Sequence, residues 1–302
     1  MSLERKDRAM KDYNEQLLPT FEPSENEIIE SALAQPLPEK IAKAIDTLKL
    51  YESKALQMSD MGYHLAFSGG KDSIVIKQLA IEAGVKFNPV YNVTTIDPPE
   101  LIYFIREHHA EVTWNYHKDR KHLILGRMVD KGEPPTRLHR WCCHEFKENG
   151  GNGLIKILGV RIAESAKRAG IWTVFNNNLN GGYILAPICY WTDKDVWDFI
   201  NSRNMPYCCL YDEGFKRLGC VGCPMAHRQM QSQFNRWPGY EKLWRLGFQR
   251  LWERWHGIPN RKGQPRFFEK FGSHEAFFDW WMTGKAHVED NQCVFEDMME
   301  QR

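Results

Sequence analysis

Along the chain, short apolar runs alternate with segments whose apolar residues recur every three or four positions. Residues 1–36 precede this alternation; they hold Pro19, Pro23 and Pro36 without a sustained period and read as an arm with one short helix around ENEIIESALA. From Pro38, PEKIAKAIDTLKLYESKALQM has proline in its first turn and Ile41, Ile45 and Leu48 on one face, an amphipathic helix pattern. YHLAF then predicts a strand and SIVIKQLAIEAG a helix closed by Gly84. FNPVYNV leads to the helix PELIYFIREHHA, and EVTWNY to a helix through HLILGRMV. LIKILGV, a helix to about Gly170 and the strand IWTVF follow, then the helix TDKDVWDFINSR, with Thr192 as its cap and Asp195 three positions on. Strands and helices in this order need crossover connections, so the predicted fold is α/β with a doubly wound, mostly parallel sheet.

From about residue 225 the strand signals stop. YEKLWRLGFQRLWERW carries Tyr240, Leu243, Trp244, Phe248, Leu251, Trp252 and Trp255 in a broad helical stripe. This aromatic face is expected to pack on the sheet rather than to serve as a binding platform. The chain therefore divides into an N-terminal arm and helix over 1–58, a sheet domain over 59–224 and a small helical appendage over 225–302.

Composition narrows the class. Of 302 residues, 42% are hydrophobic and 26% charged, enough for a sizeable core in a globular protein. The net charge of +1 sets up no global field for nucleic acid or anionic membrane, so such a contact needs a local patch. No run approaches the roughly 18 apolar residues that span a bilayer, and the polar start does not read as a signal peptide; the expectation is a cytoplasmic protein without a membrane. There the eight cysteines stay reduced and favour metal or redox chemistry over disulfides.

The chemistry concentrates first in SGGKDS, Ser68 to Ser73, between a strand and a helix. Such a turn presents unpaired backbone amides and the positive end of a helix dipole. Gly69 and Gly70 permit positive φ and close approach of an anion, Ser68 and Ser73 add hydroxyls, and Lys71 adds a point charge. Converging amides hold an anion such as pyrophosphate, and the carboxyl end of a strand is where open α/β sheets bind ligands. The bland alternative is a tight turn with a solvated KDS.

Cysteines supply the second concentration. Cys142 and Cys143 are adjacent, Cys220 and Cys223 form a C-x-x-C turn, and Cys208 and Cys209 lie just upstream. Thiolates at this spacing suit an iron–sulfur cluster, tetrahedral zinc or, unligated, a buried core. Cys189, in an apolar strand-like run, reads as core. His117 and His139 are isolated, and lone histidines are more often structural or exposed than catalytic.

SGGKDS after a short apolar strand resembles the pyrophosphate loop of the N-type ATP pyrophosphatase, or adenine nucleotide alpha hydrolase, superfamily. RWCCHEFKE, LGVRIAESAKR, and LAPICYWTDKDVWDFINSRNMPY followed by LYDEGFKRLGCVGCP extend the likeness, in order, to the phosphoadenosine-phosphosulfate reductase family. The resemblance covers about residues 60–224. It implies an adenine nucleotide, ATP or an adenylyl sulfate, bound with magnesium by Ser68, Gly69, Gly70, Lys71, Asp72 and Ser73, with Lys71, Asp72 and Arg161 catalytic. Gly159, Arg161 and Ser165 in LGVRIAES would serve the same anion, with Arg168 less directly; the bland alternative for Arg161 is a first-turn surface arginine. In TTIDPPE, Asp97 is expected to hold a ribose hydroxyl or magnesium, or else to cap the helix at Pro98-Pro99.

The resemblance also implies a four-iron, four-sulfur cluster on Cys142, Cys143, Cys220 and Cys223, with Cys208 as a competing fourth ligand and zinc as the alternative metal. Lys147 would reach either a cluster or a phosphate, or remain a solvated surface lysine. Two reactions are implied: an ATP pyrophosphatase step that adenylylates an acceptor for sulfur transfer, similar to the sulfur-inserting component of DNA phosphorothioation, and a thiol-dependent reduction of an adenylyl sulfate. A third possibility is a nucleotide-sensing module without turnover. The reductase nucleophile would be Cys293, yet its flanks Glu289, Asp290, Glu296 and Asp297 raise rather than depress a thiol pKa. The partners implied are a sulfur donor, cysteine desulfurase or thioredoxin-like, and a nucleic-acid acceptor that the net charge does not itself support.

Overall fold

The structure, a computed structural model, describes residues 25–117, 123–148, 150–164, 172–177 and 181–283. Two helices lead in, α1 (Glu25–Ala34) and α2 (Leu37–Met58), the second opened by Pro38 and burying Ala44, Leu48 and Ala55. The alternating region then gives β1 (Tyr63–Ala66), α3 (Lys71–Ala83), β2 (Phe87–Asn92), α4 (Pro99–His108), β3 (Thr113–Asn115) and α5 (Ile124–Lys131). A π-type turn over Cys143–Lys147 precedes β4 (Ile155–Ile157), and β5 (Phe175–Asn177), β6 (Tyr183–Leu185) and α6 (Asp193–Ser202) follow. Thr192 and Asp195 close the expected capping box at the start of α6, each side chain meeting the other residue's backbone amide.

The six strands lie in the order β3-β2-β1-β4-β6-β5. All neighbours pair in parallel except β5 with β6, so the sheet is mostly parallel, as expected from the sequence. The strand IWTVF is displaced: Ile171 lies outside the described residues, and the edge strand begins at Phe175 and runs antiparallel. Tyr183–Leu185 is a strand that periodicity did not single out, being only three residues long before an apolar turn. The helix expected to reach Gly170 appears only as a 3-10 turn, Ile162–Glu164, beyond which residues 165–171 are not described.

Strand order explains where ligands can enter. From β1 the chain winds outward through β2 and β3, then returns to place β4 on the other side of β1. The carboxyl ends of β1 and β4 therefore diverge into a crevice at the topological switch point. Below it Tyr63, Leu65, Ile157 and Leu185 are fully buried, and the Tyr63 hydroxyl donates to the Leu48 carbonyl at 2.6 Å, tying α2 to β1.

Beyond residue 225 lie α7 (Met230–Arg236), α8 (Pro238–Trp255) and α9 (His274–Thr283). Their aromatic residues are largely committed to packing. Trp244, Phe248 and Leu251 are buried along α8, and Trp281 stacks near Trp244 with ring centres 4.6 Å apart. Indole N–H groups donate to backbone carbonyls of the sheet region: Trp244 to Val221 at 3.1 Å, Trp255 to Val129 at 2.6 Å and Trp281 to Pro135 at 2.7 Å. Buried indoles need such acceptors, which ties α8 and α9 to the sheet region. No helix among the described residues is long and apolar enough to cross a membrane.

Candidate functional site

The loop Phe67–Gly70 leaves β1 and turns directly into α3. Gly69 has φ +72°, and a methyl group there would come within 2.7 Å of the Ile105 side chain, so glycine is required both by conformation and by space. Gly70 caps α3 in an extended conformation. The Ser73 hydroxyl donates to the Gly70 carbonyl at 2.8 Å and lies 3.3 Å from the Ser68 hydroxyl, which folds the loop around its own first helical turn. First-turn amides have no acceptor within a helix. The Gly70 N–H reaches Ser68 Oγ only at 3.4 Å, whereas the Lys71 N–H donates to the Tyr211 hydroxyl at 2.8 Å. A phenol oxygen thus sits where the loop would otherwise present an amide to an anion.

Charged groups gather at the same end. Lys71 Nζ lies 3.1 Å from Asp193 and 3.5 Å from Asp72. Arg161 Nε lies 2.7 Å from Asp72, and its Nη2 lies 3.0 Å from Asp193 and 3.8 Å from Glu164. Both cations are buried, at 4% and 3% exposure, while the Asp193 side chain is 65% exposed. Burial alone would raise the Asp193 pKa; Lys71 and Arg161 outweigh it and hold the carboxyl below its usual range. Gly159, at the end of β4, lets this strand approach α3, since a Cβ there would meet the Asp72 Cβ at 3.0 Å and the Asp72 carbonyl at 3.1 Å.

A second cavity lies beside α5 and the start of α8. Cys142, Cys143, Cys220 and Cys223 all line it, with Lys147, Thr94 and Trp244. Cys143 is pulled down to about 5, first by the hydrogen bond from Cys142 and then by Arg140, while Cys142 is pushed well up by the same pairing. Burial pushes Cys220 up to about 12. The neighbouring Cys220 also raises the Lys147 pKa. Among the described residues, no group of three or more Cys, His, Asp or Glu side chains is already drawn together to hold a single ion. The four thiols and the Lys147 cation beside them fit a bulkier anionic group such as a cluster.

Other expected residues fall elsewhere. Cys208 does not line this cavity; it is buried in the core before the 3-10 turn Cys209–Tyr211, its thiol pushed up to about 11 by burial. Asp97 is buried too, and its carboxylate accepts from the Tyr91 hydroxyl and, at 2.7 Å, from Thr94. Both bonds fall on one oxygen, Oδ2, and Pro98, not Asp97, occupies the cap position of α4. Lys147 lines the cysteine cavity while the residue itself remains exposed, so it meets both the cavity and solvent. Cys189 is fully buried with Ile162 and Ala186, in a turn rather than a strand. His117 stacks on Phe146 and His139 pairs with Glu133 at 3.0 Å. Ser165, Arg168 and Cys293 lie outside the described residues.

Asp193 and Tyr211 were not anticipated. Asp193 has a weak signal in retrospect, a carboxylate in the first turn of the helix after β6. Tyr211 has none, since its partner Lys71 is 140 residues away.

A family model for the phosphoadenosine phosphosulfate reductase domain matches residues 62–226. An uncharacterised protein of Methanocaldococcus jannaschii is 27% identical over 205 residues, 64% of this chain and 40% of that protein. An adenosine 5'-phosphosulfate reductase of Staphylococcus haemolyticus is 26% identical over 152 residues, 47% of this chain and 61% of the enzyme. The chain thus spans about two-fifths to three-fifths of the length of these relatives. Among solved structures, a Candida auris phosphoadenylyl-sulfate reductase in a phosphate complex aligns at TM-score 0.41 and 17% identity, covering 53% of this chain and 81% of that one. A Candida glabrata FMN adenylyltransferase in complex with ATP aligns at TM-score 0.42 and 18% identity, covering 64% and 67%. With the domain match covering more than half of its length, the chain belongs to the phosphoadenosine phosphosulfate reductase domain family.

Proposed function

We propose that this protein binds ATP at the Ser68–Ser73 loop and catalyses attack of an acceptor oxygen on the α-phosphorus, beside an iron–sulfur site that serves sulfur transfer. The observation that carries this reading is the cluster of Lys71, Asp72, Arg161 and Asp193 at the loop, on the switch point between β1 and β4. In the step, the acceptor oxygen forms a bond to the α-phosphorus, and the bond from that phosphorus to the bridging oxygen breaks. Pyrophosphate leaves with the electron pair, its charge met by the loop amides, Lys71 and Arg161. The adenylylated acceptor is then open to displacement by a sulfur nucleophile.

Both cations are engaged by carboxylates in the free protein, so a diphosphate must displace at least one of them. Asp193 is the exposed member and the one that can yield. Asp72 and Asp193 are also the carboxylates that would hold magnesium, which when bound shields the phosphate charge. Cys142, Cys143, Cys220 and Cys223 would hold the cluster, which supplies redox or sulfur-binding chemistry, with Lys147 balancing its negative charge. Gly69, Gly70 and Gly159 keep the backbone close enough for the anion to touch.

The relatives that act on adenosine 5'-phosphosulfate favour a second reading, reduction of that compound with release of sulfite. The two separate cleanly. Protein prepared anaerobically is incubated with magnesium and either labelled ATP or labelled adenylyl sulfate, with a thiol reductant. Pyrophosphate from ATP supports the first reading; sulfite without pyrophosphate replaces it with the second; binding with neither product makes the chain a nucleotide sensor.

A further inference from the structure

The whole chain is nearly neutral, but its charge is not evenly spread. Residues 225–283 hold ten Lys and Arg against five Asp and Glu, a local excess of +5 in a chain whose total is +1. Much of this excess sits at the end of α8 and in the turn that follows. Arg250, Arg261 and Lys262 are all exposed. The turn is rigidly held. The Asn260 side chain accepts from the Lys262 and Gln264 amides at 2.8 and 3.1 Å, and the Asn260 N–H donates to the Gln264 carbonyl at 2.8 Å. Arg261 and Lys262 therefore project from a tip whose ordering cost is already met in the free protein.

Aromatic surface accompanies the charge. His256 is exposed and stacks on the half-buried Trp252, ring centres 4.8 Å apart and 21° from parallel, which leaves the outer imidazole face open to a further planar group. Arg266 lies over the Trp255 ring at 4.1 Å and donates to the Ile258 carbonyl.

This surface continues toward the cysteines. The Arg266 guanidinium abuts Gly132, where a Cβ would come within 2.7 Å of it. Lys131, next in the chain, lies 5.4 Å from the Trp141 ring centre, and with Arg140, His139 and His144 it lines an open groove. Cys142 and Cys143 follow Trp141 directly. The acidic groups of the groove are largely engaged: Glu145 pairs with Lys131 at 2.7 Å and with Arg127 at 2.7 Å. Glu133 pairs with His139, and Asp130 pairs with Arg254 at 2.5 Å. Glu148, at the far end, remains as the carboxylate a polyanion would have to pass.

We infer that a nucleic-acid single strand binds along this track, its phosphates on Arg261, Lys262, Arg266 and Arg140 and a base on the His256–Trp252 stack, leading to the cysteine cavity. Cations along a path with interleaved aromatic faces are what a flexible phosphodiester chain requires. A duplex gains the phosphate contacts but offers no free base to the stack. The surface would bind nucleic acid whether or not the loop turns over ATP.

Fluorescence anisotropy with a short labelled single strand, as DNA and as RNA, and with the matching duplex, tests this on the full chain. The double variant Arg261→Glu with Lys262→Glu is compared with Lys49→Glu and Lys86→Glu, an equal charge change on exposed residues elsewhere. The first pair should weaken binding by about tenfold or more and lower the salt slope by about one per cation removed, while the second changes little. His256→Ala should weaken the single strand and spare the duplex. Absence of oligonucleotide binding at low salt overturns the proposal, as do equal losses in the two charge-reversal pairs. Displacement by polyglutamate at equal charge concentration also overturns it, assigning the surface to an acidic protein instead.

Discussion

The hydroxyl of Tyr211 accepts a hydrogen bond from the backbone N–H of Lys71 at 2.8 Å, so a residue in the segment between α6 and the Cys220–Cys223 turn touches the Ser68–Ser73 loop directly. The Ser68–Ser73 loop is thereby in direct contact with the segment that leads to the cysteine cavity. A diphosphate drawn to the Lys71 amide must move Tyr211, and Tyr211 lies in the same connecting segment as Cys220.

Replacing Tyr211 with Phe removes this competitor while keeping the ring. A typical hydrogen bond of this kind contributes about 0.5–1.5 kcal/mol, so the variant should bind ATP about twofold to tenfold more tightly and unfold slightly more easily. Calorimetric titration checks the first and a thermal scan the second. Weaker ATP binding would mean that the hydroxyl contacts the nucleotide rather than competing with it.

Gly159→Ala tests the approach of β4 to α3. The added methyl would sit 3.0–3.1 Å from Asp72, and the strand end must shift to relieve it. A destabilisation of about 1–3 kcal/mol is expected, with a larger loss of turnover because Arg161 moves with the strand. Denaturant unfolding and pyrophosphate release, measured on the same preparation, give the two quantities.

Iron content distinguishes the cysteines. Anaerobically prepared protein should carry iron and acid-labile sulfide, with Cys220→Ser and Cys223→Ser losing both and Cys208→Ser retaining them. Iron loss in Cys208→Ser at unchanged melting temperature would restore Cys208 to the ligand set.

Acid sensitivity should come from two buried histidines. Burial and then Lys156 lower His64 to about 4, and burial and then Lys77 lower His109 to about 4. An unfolded histidine titrates near about 6.5. With the folded values depressed, the stabilising contribution is complete above about 6.5 and is lost as pH falls toward 4. The melting temperature should therefore decline across this window, and a variant with His64→Asn and His109→Asn should show a flatter profile. An unaltered slope in that variant would assign the acid transition to other groups.

The sequence carried the loop because its constraints are local: two glycines and two serines between a strand and a helix serve neighbours within a few positions. It carried the parallel winding for the same reason, through apolar periods. It did not carry Asp193 or Tyr211, whose partners lie 122 and 140 positions away and meet only because β4 and β6 fold back beside β1. The cap reading of Asp97 failed because Pro98 takes that position, and its buried carboxylate turns toward Tyr91 and Thr94 instead. The tryptophans after residue 236 declared a helical stripe, but not that several of their N–H groups would find backbone acceptors on the sheet domain.

Calorimetric titration of anaerobic protein with ATP, pyrophosphate and adenosine tests most directly the proposal that the Ser68–Ser73 loop binds an anion. Heat with ATP and with pyrophosphate, lost when Gly69 is replaced by Ala and weak or absent with adenosine alone, is the predicted result. Silence with both phosphates, in protein that melts cooperatively, would contradict it.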